Sequence, residues 1–141
     1  MAAFNIQSDL NTAVSSLKSL YLFLNDFKNF NQILPHEKVE NFVFSEHECS
    51  FSIKGITPMR ITRQEEKPYH QIVFKSDGLA KFNFTLIASF IGDPELSGQC
   101  QVELKGDLNP FILSMAEKSL KSLVNTMSQK LAQLNLPNHE N

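Results

Sequence analysis

The sequence predicts an α+β fold in which seven strands, two short helices between the first and second strands and a long C-terminal helix share one core. Three observations carry this reading. From Val39 to Lys105 apolar and polar residues alternate in short runs, the period of strands buried on one face. Between Leu17 and Leu34 the apolar spacing changes to three and four, the period of a helix. After Asn109-Pro110 a single apolar stripe continues through Ile112, Met115, Ala116, Leu120, Leu123, Met127, Leu131 and Leu134.

Each element has its own local signal. Phe4, Ile6, Ser8, Leu10, Thr12 and Val14 share one parity, so a long first strand is expected. Ser15 or Ser16 then caps a helix whose apolar residues are Leu17, Leu20, Tyr21 and Leu24, ending near Asn25 and Asp26. Phe27, Phe30, Ile33 and Leu34 keep helical spacing up to Pro35, which disfavours a helical residue before it. Val39 to Ser45 and Cys49 to Lys54 form a hairpin around Glu46-His47-Glu48. Met59, Ile61 and Arg63 mark the next strand, and His70, Ile72 and Phe74 the one after it, which stops at an Asp77-Gly78 turn. The alternation is clearest in Phe82 to Phe90 and Cys100 to Leu104. Asn109 with Pro110 behind it is a capping side chain followed by proline at the first helical position. A helix from there to about Asn135 would be roughly 40 Å long, and it needs a long surface to lie on; the sheet supplies one.

Composition narrows the function. The chain has 141 residues, the size of one domain, so residues 1–141 are read as a single unit. Thirteen Lys and Arg against fifteen Asp and Glu give a net charge of -2, which offers a nucleic acid no general attraction. No apolar run is long enough to span a bilayer, so no integral membrane association is expected. There is no basic residue before Lys18 and no secretory pattern, so the cytoplasm is the expected compartment. Cys49 and Cys100 lack the spacing of a zinc or redox motif and read as small core residues. His36, His47, His70 and His139 lie far apart, so neither a metal site nor another cofactor is expected. Twelve of the fourteen aromatics are Phe, which suits a dry interior or a dry pocket.

The residues also resemble a known group. Leu22-Phe23-Leu24-Asn25-Asp26-Phe27-Lys28-Asn29-Phe30, followed by Ile33-Leu34-Pro35, is similar to a segment of small bacterial members of the START-like (SRPBCC) superfamily. Cys49 to Gly55, and Leu108-Asn109-Pro110-Phe111 with Met115-Ala116, resemble the same branch, and the order of elements is that of its helix-grip fold. The resemblance implies an antiparallel sheet wrapped around the last helix, with a deep apolar cavity between them that in many relatives holds lipids, sterols, quinones or polyketides.

With that arrangement, Phe74, Phe82, Phe84 and Leu86 on the strands would meet Met115, Leu123 and Met127 on the helix, and Phe30, Leu34, Phe51, Ile53 and Ile61 would complete the wall. The same side chains would equally pack a solid core. His70 is the best single polar candidate for the pocket; Ser8, Thr12 and Arg63 also share parity with apolar neighbours. There is no Gly-x-Ser-x-Gly elbow and no phosphate-cradling glycine loop, so no catalytic residue is assigned. The resulting expectation is a non-catalytic protein whose partner is a small hydrophobic molecule. The alternatives are a polyketide cyclase or aromatase that uses His70, and a protein-interaction module resembling the chaperone-ATPase activators. Lys118, Lys121 and Lys130 mark the solvent side of the last helix.

Overall fold

In a computed structural model, which describes residues 2–53, 58–76 and 83–137, one antiparallel sheet curls against a long helix. The strands are β1 (Ala2–Gln7), β2 (Asn11–Thr12), β3 (Val39–Phe44), β4 (Glu48–Ile53), β5 (Pro58–Lys67), β6 (Gln71–Ser76), β7 (Asn83–Ile91) and β8 (Gln99–Leu108). The helices are α1 (Leu17–Leu24), a 3-10 helix (Phe27–Ile33) and α2 (Pro110–Gln133). Sheet order is β1-β8-β7-β6-β5-β4-β3, with β2 a short additional partner of β8. The last strand therefore pairs with the first, and the remaining neighbours are consecutive hairpins, the order in which local pairing forms most readily.

The local signals read from sequence operate as expected at the helix starts. Ser16 caps α1, its Oγ accepting from the Ser19 N–H at 3.2 Å. Asn109 caps α2, its Oδ1 accepting from Phe111 N–H at 2.8 Å, with Pro110 in the first turn. Asp26 caps the 3-10 helix through the Lys28 N–H at 3.1 Å. The Asp77-Gly78 turn and Phe82 fall outside the described residues.

Two expectations are corrected. The first strand does not run unbroken to Val14. Ser8 Oγ accepts from Val102 N–H at 3.0 Å and donates to its neighbour's carbonyl, so the chain leaves the ladder between β1 and β2. Parity then reverses: Ala13 and Ser15 are buried, while Leu10, Thr12 and Val14 face solvent. His70 is also not a strand residue. It closes a turn, its N–H donating to Lys67 carbonyl at 2.9 Å, after Tyr69 at φ 70°, and it is exposed.

Gly106 sits on β8 between Phe4 of β1 and Phe84 of β7. A Cβ there would run into the Asn83 carbonyl oxygen and the Phe84 Cα, so the two backbones approach at a distance only glycine allows. At the other side of the sheet β3 is an edge strand. Its pairing slips between Glu40 and Val43, where Asn41 takes φ 61°, a bulge that interrupts a regular edge.

The register defines two ends. At one lie Val39, Ile53, Pro58, Ser76, Asn83 and Leu108, next to the start of α2. At the other lie Glu48, Lys67, Gln71, Ile91 and Gln99. There α1 docks on the β7–β8 connection, Leu17 N–H donating to Leu96 carbonyl at 3.0 Å.

Candidate functional site

The space between the sheet and α2 is bounded by side chains from every layer. Phe30 and Leu34 come from the 3-10 helix and its exit, and Phe51, Ile53, Ile61, Phe74, Phe84 and Leu86 from β4 to β7; Leu123 and Met127 come from α2. All ten are buried in one apolar cluster. Phe30 is its hub: its ring lies 5.4 Å edge-on from Phe74 and 6.3 Å stacked from Phe51, and Phe27 touches Phe74 at 5.7 Å. Asn29 helps aim Phe30 inward by donating to Phe23 carbonyl at 3.0 Å.

Met115 does not join them. It and its neighbours Phe111 and Ile112 are 69, 74 and 46% exposed. Helical spacing explains why. The stripe Ala116, Leu120, Leu123, Val124, Met127 and Leu131 faces the sheet, and Met115 lies well round from it, on the flank shared by Ser122 and Lys130. Further along that flank α2 is tied down. Lys130 Nζ donates to Leu34 carbonyl at 2.8 Å, and Lys38 Nζ to Ser122 Oγ at 3.0 Å. Lys130 is therefore a half-buried tether rather than a solvent-side charge. The opposite flank is tied too, Asn11 donating to Ser128 Oγ at 2.8 Å and Ser128 to Cys100 carbonyl at 3.4 Å. These bonds all fall at Ser122 or beyond. Before it, α2 buries Ala116 and Leu120 and packs the half-buried Leu113 against the core.

The interior contains little that could react. The buried polar side chains described are Ser8, Ser15, Ser19 and Ser128, and each hydroxyl is bonded to main chain. Burial raises both thiols, Cys49 strongly and Cys100 to about 11, so neither is a thiolate near neutrality. No group of three His, Cys, Asp or Glu among the described residues is placed to hold a metal.

Arg63 is the inward polar residue with the most developed setting, and sequence did not indicate its role. It sits over the Phe27 ring at 4.3 Å, donates from Nε to Asn25 Oδ1 at 2.9 Å and from its terminal nitrogens to the carbonyls of Asn25 and Glu46. Each of these hydrogen bonds goes to the chain around it. Arg63 thus closes the end of the core away from the start of α2. Tyr21, beside it, has its hydroxyl pKa raised by burial and then by the Glu66 carboxylate.

Neither of the two cavities described lies between sheet and helix. The larger, about 510 Å³, is an open groove at the ends of β1, β6, β7 and β8, beside the exposed Lys75, Asn83, Lys105 and Asp107; the smaller, about 70 Å³, is beside Phe44 and Arg60.

This architecture is shared with solved structures. The di-domain aromatase/cyclase StfQ from the steffimycin biosynthetic pathway matches with a TM-score of 0.69 at 14% identity, over 92% of this chain and 49% of that one. Norcoclaurine synthase from Thalictrum flavum matches at 0.66 and 9% identity, over 93% and 85%. The chain has the helix-grip fold of these structures. TTHA0849 from Thermus thermophilus matches at 0.65 and 12% identity, over 92% and 94% of the two chains. No family model and no curated protein sequence matches this chain. At these identities the START-like likeness is one of fold, and function rests on this chain's own residues.

Proposed function

We propose that the protein binds a small hydrophobic molecule between its sheet and the first half of α2, without chemistry on it. The observation that carries this is the uneven anchoring of α2. Its second half is tied by side-chain hydrogen bonds on both flanks, whereas its first half is held by burial of Ala116 and Leu120 and by its cap, with no other side-chain hydrogen bond among the described residues. The end of the sheet beneath that half is the natural mouth. Lifting the first turns would open the apolar wall of Phe84, Leu86 and Leu123 to a guest, and apolar burial would drive binding at about 25 cal/mol per Å².

The character of the guest follows from the lining. With each described buried hydroxyl already bonded to main chain, a charged group carried inward would lose its hydration without a partner, so the molecule is neutral along the part that enters. The cytoplasm fits the two free thiols. A cyclase reading loses its named residue, since His70 stands in solvent on a turn.

The test uses a neutral fluorescent naphthylamine, with Ala116→Phe as the blocking variant. Ala116 is, with Leu120, a buried residue of the first half of α2, and its small side chain leaves room for the larger ring to fill the space the guest needs. Saturable enhancement in the native protein, lost in a folded Ala116→Phe variant, is the expected result. Equal enhancement in both proteins contradicts the assigned place, and no enhancement contradicts hydrophobic binding.

A further inference from the structure

The face of the sheet turned away from α2 has no role in the reading above, and the groove of about 510 Å³ opens there. Lys75, Thr85, Lys105 and Asp107 alternate along their strands with the buried Phe74, Phe84, Leu86, Leu104 and Leu108, so their side chains project from that outer face. Register fixes their spacing. Lys75 on β6 and Lys105 on β8 both lie opposite Thr85 on β7, so their Cα atoms are about 10 Å apart and their four-carbon stems can close on one point above the Thr85 hydroxyl. Two residues further along β8, about 7 Å away, Asp107 lies opposite Asn83. None of these five side chains makes a hydrogen bond or ion pair among the described residues, so Asp107 pairs with neither lysine although all three line one concave surface. The next acid of β8 on this face, Glu103, accepts from Gln7 Nε2 at 3.0 Å.

We propose that this groove binds a small phosphate monoester that carries hydroxyl groups, a sugar phosphate in its simplest form. Two ammoniums and a hydroxyl donor converging from three adjacent strands match a phosphate dianion. Asp107 is the opposing charge in the groove, and it sets the selectivity. Beside it a bare inorganic anion is repelled, whereas an ester whose hydroxyls donate to the carboxylate and accept from the Asn83 amide makes the same residue favourable. A nucleotide fits less well, because Phe4 and Phe84, the aromatics that line the groove, pack with the core and offer a base no ring to stack on. The sheet itself separates this site from the hydrophobic one, and neither needs the other.

Calorimetric titration of the full chain at low ionic strength with glucose 6-phosphate, inorganic phosphate and glucose tests this. Glucose 6-phosphate should bind saturably and roughly tenfold tighter than inorganic phosphate, with no heat from glucose. Lys75→Gln/Lys105→Gln should weaken glucose 6-phosphate by roughly tenfold or more, and Asp107→Ala should shrink its preference over inorganic phosphate severalfold. Side chains this exposed tolerate substitution, and a circular-dichroism melt confirms folding of each variant. No saturable binding, equal affinity for glucose 6-phosphate and inorganic phosphate, or binding unchanged in Lys75→Gln/Lys105→Gln overturns the proposal. Naphthylamine enhancement should be the same with and without glucose 6-phosphate, and competition between the two would overturn the placement on the outer face.

Discussion

The Lys130 ammonium donates to the main-chain carbonyl of Leu34 at 2.8 Å, joining α2 to the exit of the 3-10 helix across 96 residues of chain. With Lys38 and Ser122 it makes a two-point clasp on one flank of the helix. The clasp holds the second half of α2 as a roof over the core. It also ties the ring of Phe30 to the helix, since both belong to the same short segment.

Replacing Lys130 by Met keeps the stem and removes the donor. It should cost about 1–2 kcal/mol in urea unfolding, as a charge-assisted bond to a half-buried carbonyl is lost. Lys121→Met, one turn-face away on the exposed side, should change stability by less than about 0.5 kcal/mol. Equal effects would show that the clasp contributes nothing specific.

Arg63→Lys should be nearly as damaging as Arg63→Ala, at about 1–3 kcal/mol each. An ammonium cannot cover the Phe27 ring and reach two carbonyls and Asn25 together, as the guanidinium does. Glu66→Gln should matter little, because that carboxylate is half exposed. Chemical denaturation of the three variants reads the order directly.

Gly106→Ala should destabilise by more than about 2 kcal/mol, since the added methyl meets β7 main chain instead of a side-chain end that can move. A shift in the thermal midpoint as small as that of an ordinary surface substitution would show that β7 and β8 can separate there at little cost.

Stability should fall as the solution becomes alkaline. Burial raises the Cys100 thiol to about 11, raises Cys49 further, and raises Tyr21 as well. Between about pH 8.5 and 11 the unfolded chain releases thiol protons that the folded chain keeps, so ionisation favours unfolding. The contribution is fully present below the unfolded thiol pKa and is lost with rising pH, by up to about 1.4 kcal/mol per pH unit for each thiol. Urea titrations of the native protein and of Cys49→Ala/Cys100→Ala at pH 7.5 and about 9.5 check it; identical slopes would contradict it.

What sequence made legible is what short-range chemistry decides. Ser16, Asn109 and Pro110 act on main-chain groups two or three residues away, so both helix starts could be read directly. Alternation in β7 and β8 survives because each has a neighbour on both sides and one buried face. The break after β1 was illegible, because it depends on Ser8 reaching Val102, 94 residues away. His70 was misplaced because its parity matches Ile72 and Phe74, while the turn through Tyr69 rotates it into solvent. Met115 was misplaced because a helix with apolar residues on two flanks shows one loose stripe in sequence, and only the packing of the 3-10 helix separates the flanks. The closing role of Arg63 depends on Asn25 and Phe27, brought beside it by the fold.

The central claim is best tested by methyl-resolved NMR titration with a neutral apolar molecule. Saturable shifts should concentrate on the methyls of Leu113, Ala116, Leu120 and Leu123, with those of Leu10, Val14 and Leu22 unmoved. Shifts confined to exposed methyls, or a spectrum unchanged at the solubility limit of every neutral probe, would contradict a ligand site beneath the first half of α2.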